Sequence, residues 1–364
     1  MSFVYYRLPH TKQVYRNRLS TEPEEIASLA ELNGRRGFVI APFAVSPDAP
    51  ILLLPTDWEP VDIADDCTIE SPLIDADYAG ERCRYAVDFE NYHAQLRDGT
   101  FSKIVLARSA RLTSTEHIPA LSLFARACRK YPRMFIALFS TERSGTWLIA
   151  TPEILVSGTN GDMQTMALAG TMRLSGRELG FDVAGSTVGK DDIHWSTKNI
   201  QEQRYVETYI TECIEHFTDD FSVDGPYTAR AGDLVHLRSD IRFRLADTSH
   251  FGDLLNALHP TPAVCGMPKM ATRDFIVHNE SAPRGYYSGF SGLLDPSGES
   301  ALFVTLRCMQ LPRTSTSSAQ PNDATASRCY VLYAGGGLLK DSTCQSEWDE
   351  TEAKMNTMRQ TFRP

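Results

Sequence analysis

Short apolar runs broken by prolines and acidic clusters mark the first 90 residues, where Gly37 to Val45 and Ala49 to Leu54 predict strands joined by loops. From Phe101 the pattern sharpens. Ser102 to Leu112 alternates as a strand, and Pro119 to Lys130 has helical periodicity with proline at the tolerated first turn. Met134 to Ser140 and Gly145 to Ala150 predict two strands around a Ser-Gly turn. Ile154 to Gly158 and Met163 to Ala169 predict a hairpin, because Asn160-Gly161 supplies the positive φ angles of a tight turn. Ser196 to Phe217 is the clearest helix, with Val206, Ile210, Cys213, Ile214 and Phe217 on one side and Arg204, Glu207, Thr208, Thr211 and Glu215 on the other. Strands follow around Leu234 to Leu245, Gly285 to Leu294, Ala301 to Leu311 and Cys329 to Ala334, with a polar low-complexity loop from Pro312 to Arg328. A helix from Ser346 to about Phe362 closes the chain. With no internal repeat and no clean linker, the order predicts one α+β unit, residues 1–90 being a variable part of the same domain as a core over 91–364.

Composition narrows the functional classes. The 364 residues are 42% hydrophobic and 23% charged, as expected of a chain with a packed core. Lys plus Arg is 36 against 46 Asp plus Glu, a net charge of −10, which argues against a nucleic-acid partner held by phosphate contacts and against an anionic membrane surface. The eight cysteines are scattered without C-x-x-C pairs, and the N-terminus lacks the apolar core of a secretion signal. No window approaches the roughly 18 apolar residues of a membrane span. A cytoplasmic protein with reduced thiols is the expectation.

Several polar residues stand against the apolar pattern, where an unpaired ion is expensive to bury. Lys103 shares a strand face with Val105 and Ala107; it is either an edge lysine reaching water or a desolvated amine able to act as a base. Glu153 has apolar runs on both sides and is either a turn residue or a carboxyl of raised pKa able to give up a proton. Glu202 falls on the apolar side of its helix, and Glu347, Glu350 and Lys354 form one stripe of the last helix. These carboxylates are either salt-bridged helix faces or an oxygen-rich site suited to Mg²⁺. Leu168-Ala169-Gly170-Thr171, His259 to Gly266 and Tyr333 to Gly337 are either turns or places of close backbone approach to an anion. No phosphate-loop, dinucleotide, nucleophile-elbow or zinc-protease motif is present.

In this order the motifs Lys103-Ile104-Val105-Leu106-Ala107-Arg108, Thr151-Pro152-Glu153, Leu168 to Thr171, Lys198 to Glu202, His259 to Gly266 with Arg284 to Gly289, and Tyr333-Ala334-Gly335 with Glu347 to Thr351 and Lys354 resemble the chorismate-utilising enzymes. The resemblance covers residue 100 to the C-terminus. It implies two extensive, largely antiparallel β-layers with helices packed outside and the active site between them. It points to the isochorismate synthase branch, isomerases in which a lysine matching Lys103 is the base for water attacking C2 of chorismate and a glutamate matching Glu153 protonates the departing C4 hydroxyl. Ala263 and Val264, together with Lys103, match the preference for water over ammonia. The same resemblance implies Mg²⁺ on Glu202 and Glu350 with Glu347 in support, Arg307 and Tyr287 on the pyruvyl carboxylate, and Ala169, Gly170, Thr171, His236, Gly335 and Lys354 around the substrate. A monomer is expected. A salicylate synthase that goes on to release pyruvate, or a silent chorismate-binding protein, are the alternatives. Use of the product for menaquinone, a siderophore or salicylate stays open. Two positions depart from the pattern: Asn199 where an acid is usual, and Gln203 where histidine is common.

Overall fold

The computed structural model describes residues 2–19, 21–64, 73–116, 118–183, 186, 188–189, 192–231, 234–312 and 328–363. Elements are numbered in chain order. A ten-stranded sheet runs, in space, β15 (Gly266–Met267), β8 (Lys103–Ser114), β19 (Arg328–Leu338), β18 (Cys308–Leu311), β10 (Gly145–Thr151), β9 (Phe135–Thr141), β1 (Phe3–Arg7), β2 (Val14–Arg18) and β6 (Glu59–Val61), with β7 (Ile74–Asp75) also on β8. A nine-stranded sheet runs β13 (Phe221–Ala231), β14 (Leu234–Arg244), β12 (Asp162–Arg173), β11 (Ile154–Thr159), β17 (Glu299–Val304), β16 (Phe290–Leu294), β4 (Gly37–Ala41), β5 (Ile51–Leu54) and β3 (Glu24–Ile26). Every pairing among the described residues is antiparallel. The helices are α1 (Tyr78–Arg97), α2 (Ala120–Lys130), α3 (Thr197–Glu215), α4 (Phe251–Leu258), α5 (Lys269–Asn279) and α6 (Cys344–Arg359).

The unbroken apolar runs in the sequence follow from this layering. A strand covered on both faces sends alternate side chains into different cores. In β4, Phe38 and Ile40 join the core between the sheets while Val39 and Ala41 face α3 and α4. In β9, Phe135, Ala137 and Phe139 face inward, and Ile136 and Leu138 pack beneath α2 and α6. Phe135 stacks on Phe303 of the opposite sheet with ring centroids 4.3 Å apart, so the two layers meet without a gap there.

Three expectations change. The run Ala301 to Leu311 is two strands in different sheets, β17 and β18, because the chain crosses between layers at Thr305–Arg307, where Arg307 takes a φ of 44°. Gly285 to Gly289 is a tight turn preceding β16, with Gly285 and Ser288 both at positive φ. The region read as strands and loops, residues 1–90, ends in the 20-residue helix α1, which starts at Tyr78 and runs on to Arg97 and whose buried stripe of Glu81, Tyr85, Asp88, Phe89, Tyr92 and Leu96 is interrupted by two carboxylates. The hairpin at Asn160-Gly161, helix α3 and helix α6 form where the pattern placed them. Cys67 and most of the expected loop, 313–327, lie outside the described residues. Seven described cysteines carry free thiols. Among the described residues no helix is long and apolar enough to cross a membrane.

Candidate active site

Two crossovers between the sheets build the site. The chain passes from β10 to β11 through Pro152-Glu153, and from β17 to β18 through Thr305–Arg307. They lie side by side: Val304 N–H donates to the Glu153 carbonyl at 3.0 Å, and Ala150 N–H to the Arg307 carbonyl at 3.1 Å. Glu153 and Arg307 are thereby delivered to one cavity, whose walls come from β8 and β19 of one sheet and β12 and β14 of the other. It is lined by Glu153, Ala169, Gly170, Thr171, Glu202, His236, Ala263, Val264, Tyr287, Arg307, Gly335 and Lys354, all singled out from the sequence. Val105, Leu168, Leu306, Ala334 and Gly337 complete it. Lys103, Glu347 and Glu350 sit immediately behind the wall, around Gly336 and Gly337.

The glycines of β19 make room for these ions rather than forming a turn. A Cβ on Gly337 would overlap Glu202 Oε1 and come within 3.0 Å of Lys103 Cε. A Cβ on Gly336 would stand 3.0 Å from Glu347 Oε2. Gly170 interrupts β12 at φ 65°, and a side chain there would press on Asn199 at 3.0 Å.

Lys103 is fully buried, with Nζ 3.1 Å from Glu202 Oε1 but without hydrogen-bond alignment. Burial lowers its pKa, and Glu202 limits the fall. Burial works to raise the Glu202 carboxyl, yet Lys103, Lys198 and Lys354 together hold it below its usual range. Burial pushes Glu153 up to about 8, against the weaker pull of Lys103, Arg307 and Lys354. The carboxyl on the cavity wall is therefore displaced toward its protonated form, and the amine just behind that wall toward neutrality.

Arg307 donates from NH2 to His236 Nε2 at 2.9 Å. A guanidinium only donates, so Nε2 accepts and Nδ1 carries the proton, facing the Gly170 carbonyl at 3.2 Å and Thr171 Oγ1 at 3.3 Å. Burial, with Arg307 and Lys354 nearby, pushes His236 well down and keeps it neutral. Arg307 NH1 is buried with no partner, a donor available to an anion.

The acidic cluster is paired throughout. Lys198 Nζ reaches Glu347 Oε1 at 2.5 Å, and Lys354 Nζ reaches Glu350 Oε1 at 2.6 Å and the Gly335 carbonyl at 2.9 Å. Burial and Glu350 push Glu347 up to about 7. Its Oε2 is buried without a partner. Among the described residues no three metal-ligating side chains already converge on one point. The donor set is nonetheless what a hard divalent cation takes, all carboxylate oxygen with one oxygen unsatisfied, so the residues fit Mg²⁺ chemically.

Sequence reasoning missed two supports. Lys198 is four residues before Glu202, which places both on one helix face, so its role beside Glu347 had a signal. Gln203, noted only as a departure, holds α3 to β12: its Oε1 accepts from Ala169 N–H at 2.9 Å, and its Nε2 donates to the Ala167 carbonyl and Ser239 Oγ, each at 3.1 Å.

The family description "chorismate binding enzyme" matches residues 68–363. The chain belongs to the chorismate-binding enzymes. Within that family it is 32% identical over 273 residues to the isochorismate synthase DhbC of Bacillus subtilis, covering 73% of this chain and 64% of the relative. It is 33% identical over 287 residues to the salicylate biosynthesis isochorismate synthase of Pseudomonas aeruginosa, covering 78% of this chain and 55% of the relative. The chain thus spans less than two thirds of the length of either. The structure of the menaquinone-specific isochorismate synthase MenF of Escherichia coli superimposes with a TM-score of 0.76 over 100% of this chain and 89% of that one, at 20% identity, which shows a shared fold.

Proposed function

We propose that this chorismate-binding enzyme is an isochorismate synthase, an isomerase that moves the hydroxyl of chorismate from C4 to C2. The observation that carries the reading is a carboxyl on the cavity wall raised to about 8 together with an amine held down by burial immediately behind that wall. Water bonds to C2 and passes a proton to Lys103 Nζ. The ring double bonds shift, the C4–O bond breaks, and the departing hydroxyl takes the Glu153 proton to leave as water. One water enters and one leaves, so the change is an isomerisation, and solvent returns the two proton carriers to their starting states.

Arg307 NH1 and the Tyr287 hydroxyl hold the pyruvyl carboxylate, while Ala169, Ala263 and Val264 shape the ring site. Glu202, Glu347 and Glu350 would hold Mg²⁺, which when bound supplies positive charge against the ring carboxylate of a dianionic substrate. Orientation of water and leaving group contributes several kcal/mol, and each proton transfer about 10²–10⁴-fold.

Incubation with chorismate and Mg²⁺, followed by NMR, tests the reading. Isochorismate is the expected product. Unchanged chorismate, or release of pyruvate as the main reaction, contradicts it.

A further inference from the structure

Strand β8 pairs with β19 along its length, but its other edge is covered only at the ends. At one end Val105 N–H donates to the Cys265 carbonyl at 2.6 Å, and at the other Ala76 N–H donates to the Arg111 carbonyl at 2.8 Å. Among the described residues no strand lies between them. Side chains take over there. Arg284 NH2 donates to the Val105 carbonyl at 2.8 Å, and Glu280 Oε1 accepts from Ala107 N–H at 2.8 Å.

These two side chains also bind each other twice, through Arg284 Nε to Glu280 Oε2 at 2.6 Å and NH2 to Oε1 at 2.7 Å. Both are almost fully buried. The remaining guanidinium nitrogen, NH1, donates to the Val264 carbonyl at 2.7 Å. The pair therefore acts as a substitute strand, satisfying one donor and one acceptor of β8 and tying that strand to the segment carrying Ala263 and Val264. Val105 and Val264 line the cavity, and Lys103 lies two residues from Val105 on the same strand face. Neither Glu280 nor Arg284 lines it.

We propose that Glu280 and Arg284 are positioning residues that hold the strand of Lys103 and the Ala263–Val264 wall at a set separation for turnover. This rests on the reading of the cavity as a chorismate-converting site. Of the groups that would hold substrate carboxylates, Arg307 and Lys354 stand on other elements, and Tyr287, three residues past Arg284, is held in its turn by a backbone bond from its N–H to the Arg284 carbonyl at 3.0 Å that a side-chain change leaves in place. Loss of the pair therefore acts on turnover more than on substrate binding.

Arg284→Lys keeps the charge opposite Glu280 but loses the planar fork that reaches two carbonyls and a carboxylate at once. Assayed at a temperature where its melting curve shows it folded, the variant is expected to lose on the order of 100-fold in kcat with KM near wild type. A folded variant with wild-type kcat, or one in which only KM rises, overturns the inference. Hydrogen exchange on the unaltered protein gives a second measurement that does not depend on the variant folding. The Ala107 amide, bonded only to a side chain, is expected to be protected like that of Leu106 on the paired edge, and exchange at the rate of an exposed amide overturns the inference. Wild-type protein that leaves chorismate unchanged overturns the reading of the site and the positioning role with it. An active wild type beside an unaffected Arg284→Lys overturns the positioning role alone.

Discussion

Lys103 Nζ stands 3.1 Å from Glu202 Oε1, the lysine fully buried and the carboxylate opening only to the cavity. Removing Lys103 takes from the Glu202 carboxylate the amine in direct contact with it, leaving only Lys198 and Lys354 acting from further away. Lys103→Met is expected to cost about 3–5 kcal/mol in chemical denaturation, and adding Glu202→Gln to recover most of it. Turnover follows a different rule, since both variants lack the base and lose about 10²–10⁴-fold. Equal stability of the single and double variants contradicts the pairing.

Glu153 predicts a pH dependence of both rate and stability. As an acid raised to about 8, it is protonated at neutral pH, so kcat falls as the pH rises through that value and Glu153→Gln removes the limb along with most turnover. The folded protein binds the extra proton between the ordinary 4.5 and about 8, so this group's stabilising contribution is complete below 4.5 and is lost as pH rises through 8. Glu153→Gln therefore gains stability relative to wild type on going from roughly pH 5 to roughly pH 8. Melting curves at the two ends check this, and a difference that does not move with pH contradicts it.

Arg307 has one nitrogen committed to His236 and another buried without a partner. Arg307→Lys removes the fork that serves both. With a charged hydrogen bond contributing about 1.5–3 kcal/mol, KM for chorismate rises about 10- to 100-fold while kcat changes less. Steady-state kinetics separates the two.

Gln203 satisfies two backbone groups of β12 that no strand covers, the Ala169 N–H and the Ala167 carbonyl. Gln203→Leu keeps the volume and leaves both unpaired, with an expected loss of about 1–3 kcal/mol for each stranded group. Urea denaturation measures it, and a loss confined to a few tenths contradicts the role.

Much of this site was legible in the sequence because its residues break local patterns. Lys103 is charged within an apolar strand, Glu202 lies on the apolar side of α3, and Glu153 stands between two apolar runs. What stayed hidden depends on contacts between distant segments. That Ala301 to Leu311 divides between two sheets is set by Arg307 adopting a positive φ where the layers meet, and the run, mostly apolar on both sides of Thr305 to Arg307, carries no turn residue to mark the break. Helix α1 escaped notice because Glu81 and Asp88 sit on its buried face, where Glu81 accepts from Arg111 N–H and Asp88 from Ser281. The glycines of β19 resembled a turn, and only the side chains gathered over them show why no Cβ fits.

The most direct test of the account follows the oxygen. With the enzyme, chorismate and Mg²⁺ in water enriched in ¹⁸O, water attack at C2 with loss of the C4 hydroxyl predicts isochorismate carrying one heavy oxygen, at C2. Isochorismate without the label, or chorismate recovered unchanged, contradicts it.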